Sequence, residues 1–511
     1  MRDQWKLFMS CLSVVCLTCC AQGKDDGAVT VAKRPNILFV LGDDWGWPHA
    51  SCLGTPGIQT PHFDRLAREG VLFRNAHSAF PSCSPSRAAI LTGQWPWRLE
   101  QGAILRGDVG AQYPVFPELL EKAGYFIGQQ GKGYSPKDKK APPRNLTGRN
   151  YRSITAFIAA RPKDKPFCFW LGTWTPHRPY TPGTGITNGL DPAKVRVPPT
   201  LPDNDVVRSD ICDYFCEAQD MDKTLGEALA ELEKAGELEN TIVVATGDNG
   251  WPFPRGKATC YEAGTHQPLA IRFGAKVKGG RVVEDFVSLT DLAPTFLEAA
   301  GLTPPREMTG RSLMPVLLSG KSGQVDPSRD HILTGVERHA WGRTDGPHRF
   351  TGYPMRSIFM GDFHYIRNFK PGRWPAGDPP PALLGSGQLA GKEPVVLIDC
   401  DDGMTKAWMV THRDEPQVKP LYELAFGKRP AQELYDLRSD PHEMKNLASD
   451  PAYAAKVKEL DERLMAELKA TDDPRVTGRD EVFDQFDDSP WLPARYRGKG
   501  AALVPAASRK P

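Results

Sequence analysis

The chain has 511 residues, with 64 basic against 62 acidic side chains, 40% hydrophobic residues and a formal net charge of +2. That near-balance excludes the one-sided charge of a nucleic-acid binder or a polybasic membrane-surface protein. The length exceeds one small core and asks for two to four domains, or one large α/β domain with a smaller companion.

The first segment, MRDQWKLFMSCLSVVCLTCCAQGK, carries Arg2 and Lys6, then an apolar stretch from Leu7 to Cys20, then small and polar residues. It is short for a bilayer span and reads as a signal peptide over 1–21. The protein is therefore expected to be exported, periplasmic or extracellular, without a transmembrane span. LTCC (17–20) also reads as an imperfect lipoprotein box that would anchor the protein at Cys20, with Cys19 standing where Gly, Ala or Ser is normal. Beyond the leader the cysteines are Cys52, Cys83, Cys168, Cys212, Cys216, Cys260 and Cys400, an odd set that leaves at least one thiol free or modified. No zinc-type Cys/His spacing occurs among them.

Residues 32–325 read as one catalytic domain. RPNILFVLGDDWG (34–46) is a strand apolar on both faces, as in a buried parallel sheet, that stops in two acids and a glycine. TPHFDRLAREGVLF (60–73) starts as a short amphipathic helix with Phe63, Leu66 and Ala67 on one face. VFPELLEKAGYFIGQQGKG (115–133) is helix then strand, and FCFWLGTWTPH (167–177) is a strand ending in polar residues. A longer helix is expected from about Asp210 to Ala235, with Met221, Leu225, Leu229 and Leu232 on one face. It leads into NTIVVATGDNG (240–250), a strand that again ends in acid, amide and glycine. The alternation predicts an α/β sheet with helices on both faces. Ligands of such sheets sit at the carboxyl ends of the strands, which is where Asp43, Asp44, His177, Asp248 and Asn249 all fall.

Residues 326–475 change texture and read as a smaller α+β subdomain. MRSIFMGDFHYIRNF (355–369) predicts an antiparallel hairpin turning at Gly361-Asp362. A Pro/Gly-rich stretch (370–391) reads as an irregular loop, and a closing helix is expected near 451–470. The remainder, 476–511, reads as an extended or disordered tail.

Asp43, Asp44, Asp248 and Asn249 are oxygen donors only, which suits Ca²⁺ or Mg²⁺ rather than zinc. Taken singly, each pair reads equally as turn residues. In FPSCSPSRAAILTGQ (80–94), Cys83 stands at the start of a helix. On the residues alone it is a buried thiol, half of a disulfide, a metal ligand or a nucleophile. Unpaired N–H groups at a helix start favour an anion and lower a thiol pKa, and the Arg87 fork suits a tetrahedral oxyanion. An anionic ester beside a divalent cation is coherent with this set.

CSPSRAAILTG (83–93) resembles the sulfatase signature Cys-x-Pro-Ser-Arg-x-x-x-x-Thr-Gly. The resemblance extends over most of the chain, through PNILFVLGDDWG, SLTDLAPTFLEAAGL and ELYDLRSDPHEMKNLA. PFCFWLGTWTPHRPY, GDNGWPFPRGKATCYEAGTHQPL and YPMRSI are most similar to the branch with heparan N-sulfatase (sulfamidase) and its bacterial relatives. It implies an alkaline-phosphatase-like large sheet flanked by helices and followed by a C-terminal subdomain with an antiparallel sheet. It also implies that a separate maturation enzyme converts Cys83 to formylglycine (3-oxoalanine). One hydroxyl of the hydrated aldehyde then attacks sulfur, and the other expels sulfate. The metal ligands implied are Asp43, Asp44, Asp248, Asn249 and the modified Cys83. Arg87 would hold the formylglycine, while Lys132, His177 and Lys257 would bind sulfate or protonate the leaving group. The expected substrate is a sulfated saccharide, such as a glycosaminoglycan.

One position departs from the family. GK-x-H is replaced by Gly131-Lys132-Gly133-Tyr134, so the Tyr134 hydroxyl or another residue would stand in for the histidine. His177 also reads as a histidine merely hydrogen-bonded at a strand end. Arg178, His339 and Arg356 are candidates for sugar recognition, with structural salt bridges the alternative for His339 and Arg356. Two competing functions remain: a phosphoesterase of the same superfamily, and a non-catalytic binder of sulfated glycans.

Overall fold

The computed structural model describes residues 34–134, 144, 146–340, 343, 351–377 and 397–486. Its large sheet contains β1 (Asn36–Gly42), β2 (Val71–His77), β3 (Phe126–Gly131), β4 (Arg149–Asn150), β5 (Phe167–Gly172), β6 (Thr241–Gly247), β7 (Leu269–Phe273) and β8 (Arg281–Ser288). Their spatial order is β4-β3-β5-β1-β6-β7-β2-β8. All pairs are parallel except those of β7, which runs antiparallel to β2 and β6. The link from β6 to β7 carries only the four-residue helix Glu262–Thr265 in place of a crossover helix.

Central β1 is buried along its whole length because helices cover both faces of the sheet. Its residues part by alternation. Leu38 and Val40 pack with Phe63, Leu66, Met221 and Leu225 from the helices Pro61–Glu69 and Asp205–Lys234. Ile37, Phe39 and Leu41 pack with Ile90, Leu120 and Phe296 from the helices Cys83–Thr92, Phe116–Lys122 and Leu292–Ala299. The Phe39 ring meets Trp170 edge-on at 4.8 Å and Phe296 at 5.7 Å, so truncation to Ala should cost about 3–5 kcal/mol. The long helix begins five residues before the expected start: the Asn204 side chain caps it by accepting from Val207 N.

The register brings the strand ends level. Gly131 and Leu41 both lie opposite Gly172, and Gly42 lies opposite Gly247. Main-chain bonds continue the ladder just past the strands, from Lys132 N to Gly172 O (2.8 Å), Asp43 N to Thr175 O (3.1 Å) and Asp248 N to Gly42 O (3.0 Å). A Cβ at Gly172 would lie 1.8 Å from the Lys132 carbonyl oxygen, and one at Gly247 would lie 1.9 Å from that of Trp45, so both loops close over glycine.

A second, antiparallel sheet contains β9 (His331–Val336), β10 (Met355–Met360), β11 (Phe363–Asn368) and β12 (Gln432–Asp436), in the order β12-β11-β10-β9. Its hairpin turns at Gly361, φ +57°, as the sequence predicts. The helix Ala454–Ala470 packs Val457, Leu460, Leu464 and Leu468 against it, and Phe80 and Trp97 join the same cluster. The tail expectation needs one correction. Residues 476–486 are packed: Phe483 is buried in that cluster, and buried Asp484 pairs with Arg373 at 3.0 Å. From Arg34 onward the described chain is one compact unit. Among the described residues no helix is long and apolar enough to cross a membrane. The expected leader with Cys20, the loop from 378 to 391 and the tail from 487 lie outside the described residues.

Candidate active site

Two successive side chains on an extended strand point to opposite faces, yet Asp43 and Asp44 serve one site. Asp44 adopts φ +70°, a left-handed conformation that Asp tolerates better than most residues, and this turns the chain past β1. Carboxylate oxygens of Asp43, Asp44 and Asp248 then lie within 4.8 Å of one another, and all three residues are fully buried. Asp248 Oδ1 accepts from Asp44 N at 3.0 Å. Asn249 donates its Nδ2 to Asp44 Oδ1 (2.8 Å) and to the Gly250 carbonyl, so its Oδ1 is the atom left over. Asn249 Oδ1 and Asp43 Oδ1 are buried without a hydrogen-bond partner. Two orphaned oxygens within a carboxylate set are the donors a hard cation requires, and the residues fit one.

Three cations surround the acids. Arg87 donates through Nε to Asp248 Oδ2 (2.7 Å) and through NH1 to the Lys132 carbonyl (2.7 Å), with NH2 3.6 Å from Asp43 Oδ1. Lys132 pairs with Asp43, and its ammonium stands 5.8 Å from the ring centre of Trp174. Lys257 lies between Asp44 Oδ2 (2.9 Å) and Asp401 Oδ2 (2.8 Å). Burial alone would lower the pKa of Lys257, but Asp401 and Asp44 outweigh it and hold the ammonium well above its ordinary value. Burial raises Asp248, against the pull of Arg87.

Cys83 is the first residue of the helix Cys83–Thr92, is buried and forms no disulfide. It lies within electrostatic reach of Lys132, Arg87 and Lys257. His177 is one-third exposed. Its Nδ1 is bonded to the Arg178 carbonyl, which directs Nε2 toward Asp44 Oδ2 at 3.8 Å.

Substrate-side expectations fare unevenly. Arg178 is corrected: it is buried, binds both Asp210 oxygens at 2.8 Å and donates to the Pro252 carbonyl, which leaves no edge for a sugar. Arg356 is corrected likewise. It is fully buried between Asp473 (2.6 Å) and Glu337 (2.5 Å), the structural salt bridge weighed against sugar binding. The Tyr134 hydroxyl donates to the Gly107 carbonyl at 2.6 Å instead of taking the histidine's place. His339 does reach the site, with Nδ1 bonded to Ser82 Oγ (2.8 Å) beside Cys83. Burial, followed by the Lys257 charge, lowers its pKa.

Sequence reasoning missed Asp401 and Trp174. Asp401 lies in DCDDG (399–403), an acid cluster that follows the short apolar run VVLI (395–398) and lies beyond the expected catalytic domain. Trp174 sits three residues before His177 and is 66% exposed, an unusual setting for so large an apolar ring.

A sulfatase family model matches residues 35–302. An ulvan-active sulfatase of Formosa agariphila is 28% identical, covering 94% of this chain and 84% of its own length. Human N-sulphoglucosamine sulphohydrolase is 30% identical, covering 89% of this chain and 94% of its own length. A solved structure in complex with its substrate D-glucosamine-2-N,6-O-disulfate superposes with a TM-score of 0.61 at 22% identity, over 88% of this chain and 100% of the other.

Proposed function

The chain belongs to the sulfatase family, and from that premise we propose that it releases sulfate from sulfated carbohydrate, O-linked or N-linked, with Cys83 matured to formylglycine and one Ca²⁺ held by Asp43, Asp44, Asp248 and Asn249. Charge balance carries the reading. Asp43, Asp44, Asp248 and Asp401 against Arg87, Lys132 and Lys257 leave one net negative charge. A divalent cation turns this into one net positive charge, the counterpart of a monoanionic sulfate ester or sulfamate. A phosphate monoester, at about −1.5 to −2, would overfill it. Mg²⁺ suits the same oxygens but normally keeps more of its water.

When present, the formylglycine supplies a hydrated-aldehyde nucleophile and the cation lowers the cost of charge on the reacting oxygens. The chain's own side chains do the rest. Arg87 holds the nucleophile's helix against Asp248. Lys132, the more exposed lysine at 18%, meets a sulfate oxygen once Asp43 is engaged elsewhere. His177 Nε2 hands a proton to the departing oxygen or nitrogen. His339, bonded to Ser82 next to Cys83, serves as the base for sulfate expulsion, since the Tyr134 hydroxyl is committed to Gly107. The exposed Trp174 ring gives the sugar an apolar face beside Lys132. The saccharide names of the relatives support this substrate class, and the apolar leader supports export.

The decisive experiment is mass spectrometry of the tryptic peptide Asn75–Arg87, together with sulfate release from N-sulfated and 6-O-sulfated glucosamine. A thiol replaced by an aldehyde, with sulfate liberated, is expected. An intact thiol in a host that matures other sulfatases would overturn the mechanism and favour the glycan-binder reading.

A further inference from the structure

The two lysines of the site differ in a way the proposed chemistry does not require. Lys132 has one carboxylate partner, Asp43, and is 18% exposed, whereas Lys257 has two, Asp44 and Asp401, and is 3% exposed. A cation bound by the acid cluster draws on the oxygens of both Asp43 and Asp44. Lys132 can then turn to solvent or substrate. Lys257 has no such route, and a buried ammonium stripped of its partner is strongly unfavourable.

We propose that Asp401 is a positioning residue that keeps Lys257 in place and charge-compensated while Asp44 serves the cation, so that cation binding does not strand a buried lysine. This rests on the reading of the acid cluster as a cation site. Asp401 is built for a fixed role. On one side Asp399 accepts from Ala340 N (2.6 Å) and pairs with Arg343. The Cys400 carbonyl, on the same side, accepts from Lys406 Nζ (2.7 Å), and on the other side Thr405 Oγ1 donates to Asp210 (2.6 Å). The loop thereby holds a carboxylate oxygen within 4.8 Å of ligand atoms on Asp44 and His177. A carboxylate so close to an anion subsite repels sulfate, which makes sense only if its attachment to Lys257 is needed.

The test is calorimetric titration of the full chain with Ca²⁺, in a double-mutant cycle of Asp401→Asn and Lys257→Met. If Asp401 acts through Lys257, Asp401→Asn raises the Kd about tenfold or more when Lys257 is present and less than about threefold in Lys257→Met, a non-additive cycle. Asp401→Glu, which keeps the charge, should stay within about threefold of the parent. Thermal melts of each variant show that it is folded. Equal losses in both backgrounds would mean that Asp401 acts only through its general negative field, and would overturn the proposal alone. A parent chain that binds no Ca²⁺ would remove the cation-site reading and the proposal together.

Discussion

Arg87 Nε lies 2.7 Å from Asp248 Oδ2 with both side chains buried, so the first turn of the Cys83 helix is fastened to the residue just past β6. Ser86 repeats the tie one residue earlier, its Oγ donating to the Asp248 carbonyl at 2.5 Å. Segments 161 residues apart are thereby set at a fixed separation, the position of the proposed nucleophile on one and a carboxylate of the cluster on the other.

Arg87→Ala would leave Asp248 buried with its principal counter-charge gone. Loss of one partner of a buried pair costs about 3–5 kcal/mol, so the urea midpoint should fall sharply. Arg87→Lys should recover only part of this, because an ammonium cannot span Asp248 and the Lys132 carbonyl as the guanidinium fork does. Equal stability of the Lys variant and the parent would remove the fork geometry from the account.

Cation removal should act on stability as well as turnover. Chelation leaves three buried carboxylates clustered, with Asp43 Oδ1 and the Asn249 amide oxygen unpartnered, and a ligand at 100 times its Kd contributes about 2.7 kcal/mol to the folded state. Differential scanning should therefore show a melting temperature that rises with Ca²⁺ after EDTA treatment and dialysis. Asp43→Asn should weaken that response. A melt indifferent to Ca²⁺ would count against the site.

Acid stability should depend on His49, a buried histidine outside the acid cluster. It is buried with Nδ1 near the Tyr214 hydroxyl, and burial lowers its pKa to about 3 against an ordinary 6.5. Between those values the unfolded chain binds a proton that native His49 refuses. Its contribution is therefore complete above pH 6.5 and is lost as pH falls toward 3, at up to about 1.4 kcal/mol per pH unit. Urea midpoints at pH 7, 6 and 5 should drop less steeply for His49→Gln than for the parent, even though the variant starts lower. Parallel slopes would exclude His49 as the source.

Local pattern carried much of the site. The acids after β1 and β6 are legible because an apolar run that stops in carboxylates marks a strand end, and parallel strands share one end. Arg178 was misread, and Arg356 stayed between sugar recognition and a salt bridge, because a sequence does not reveal an arginine's partner. Asp210 is 32 residues from Arg178, and Asp473 is 117 from Arg356. Asp401 escaped for the converse reason: it is 144 residues from Lys257, on a loop whose course depends on tertiary anchors rather than on periodicity. The packed stretch 476–486 was missed because a single buried Phe483 and one paired acid leave no repeating pattern.

His177 separates the roles of the cluster most cleanly, because its effect should depend on what departs. If Nε2 delivers the proton, a sugar alcohol or amine, poor leaving groups both, needs it, whereas a nitrophenolate does not. His177→Ala should then lower kcat on a sulfated saccharide by about 10²–10⁴-fold, the range of general-acid effects, and on a nitrophenyl sulfate far less. The side chain is one-third exposed and bonded mainly to a neighbouring carbonyl, so its removal should leave the melting temperature nearly unchanged. If His177 instead binds the sulfate group, which both substrates share, the two rates should fall together. Equal losses would therefore reassign His177 to sulfate binding and leave the leaving-group proton to another group.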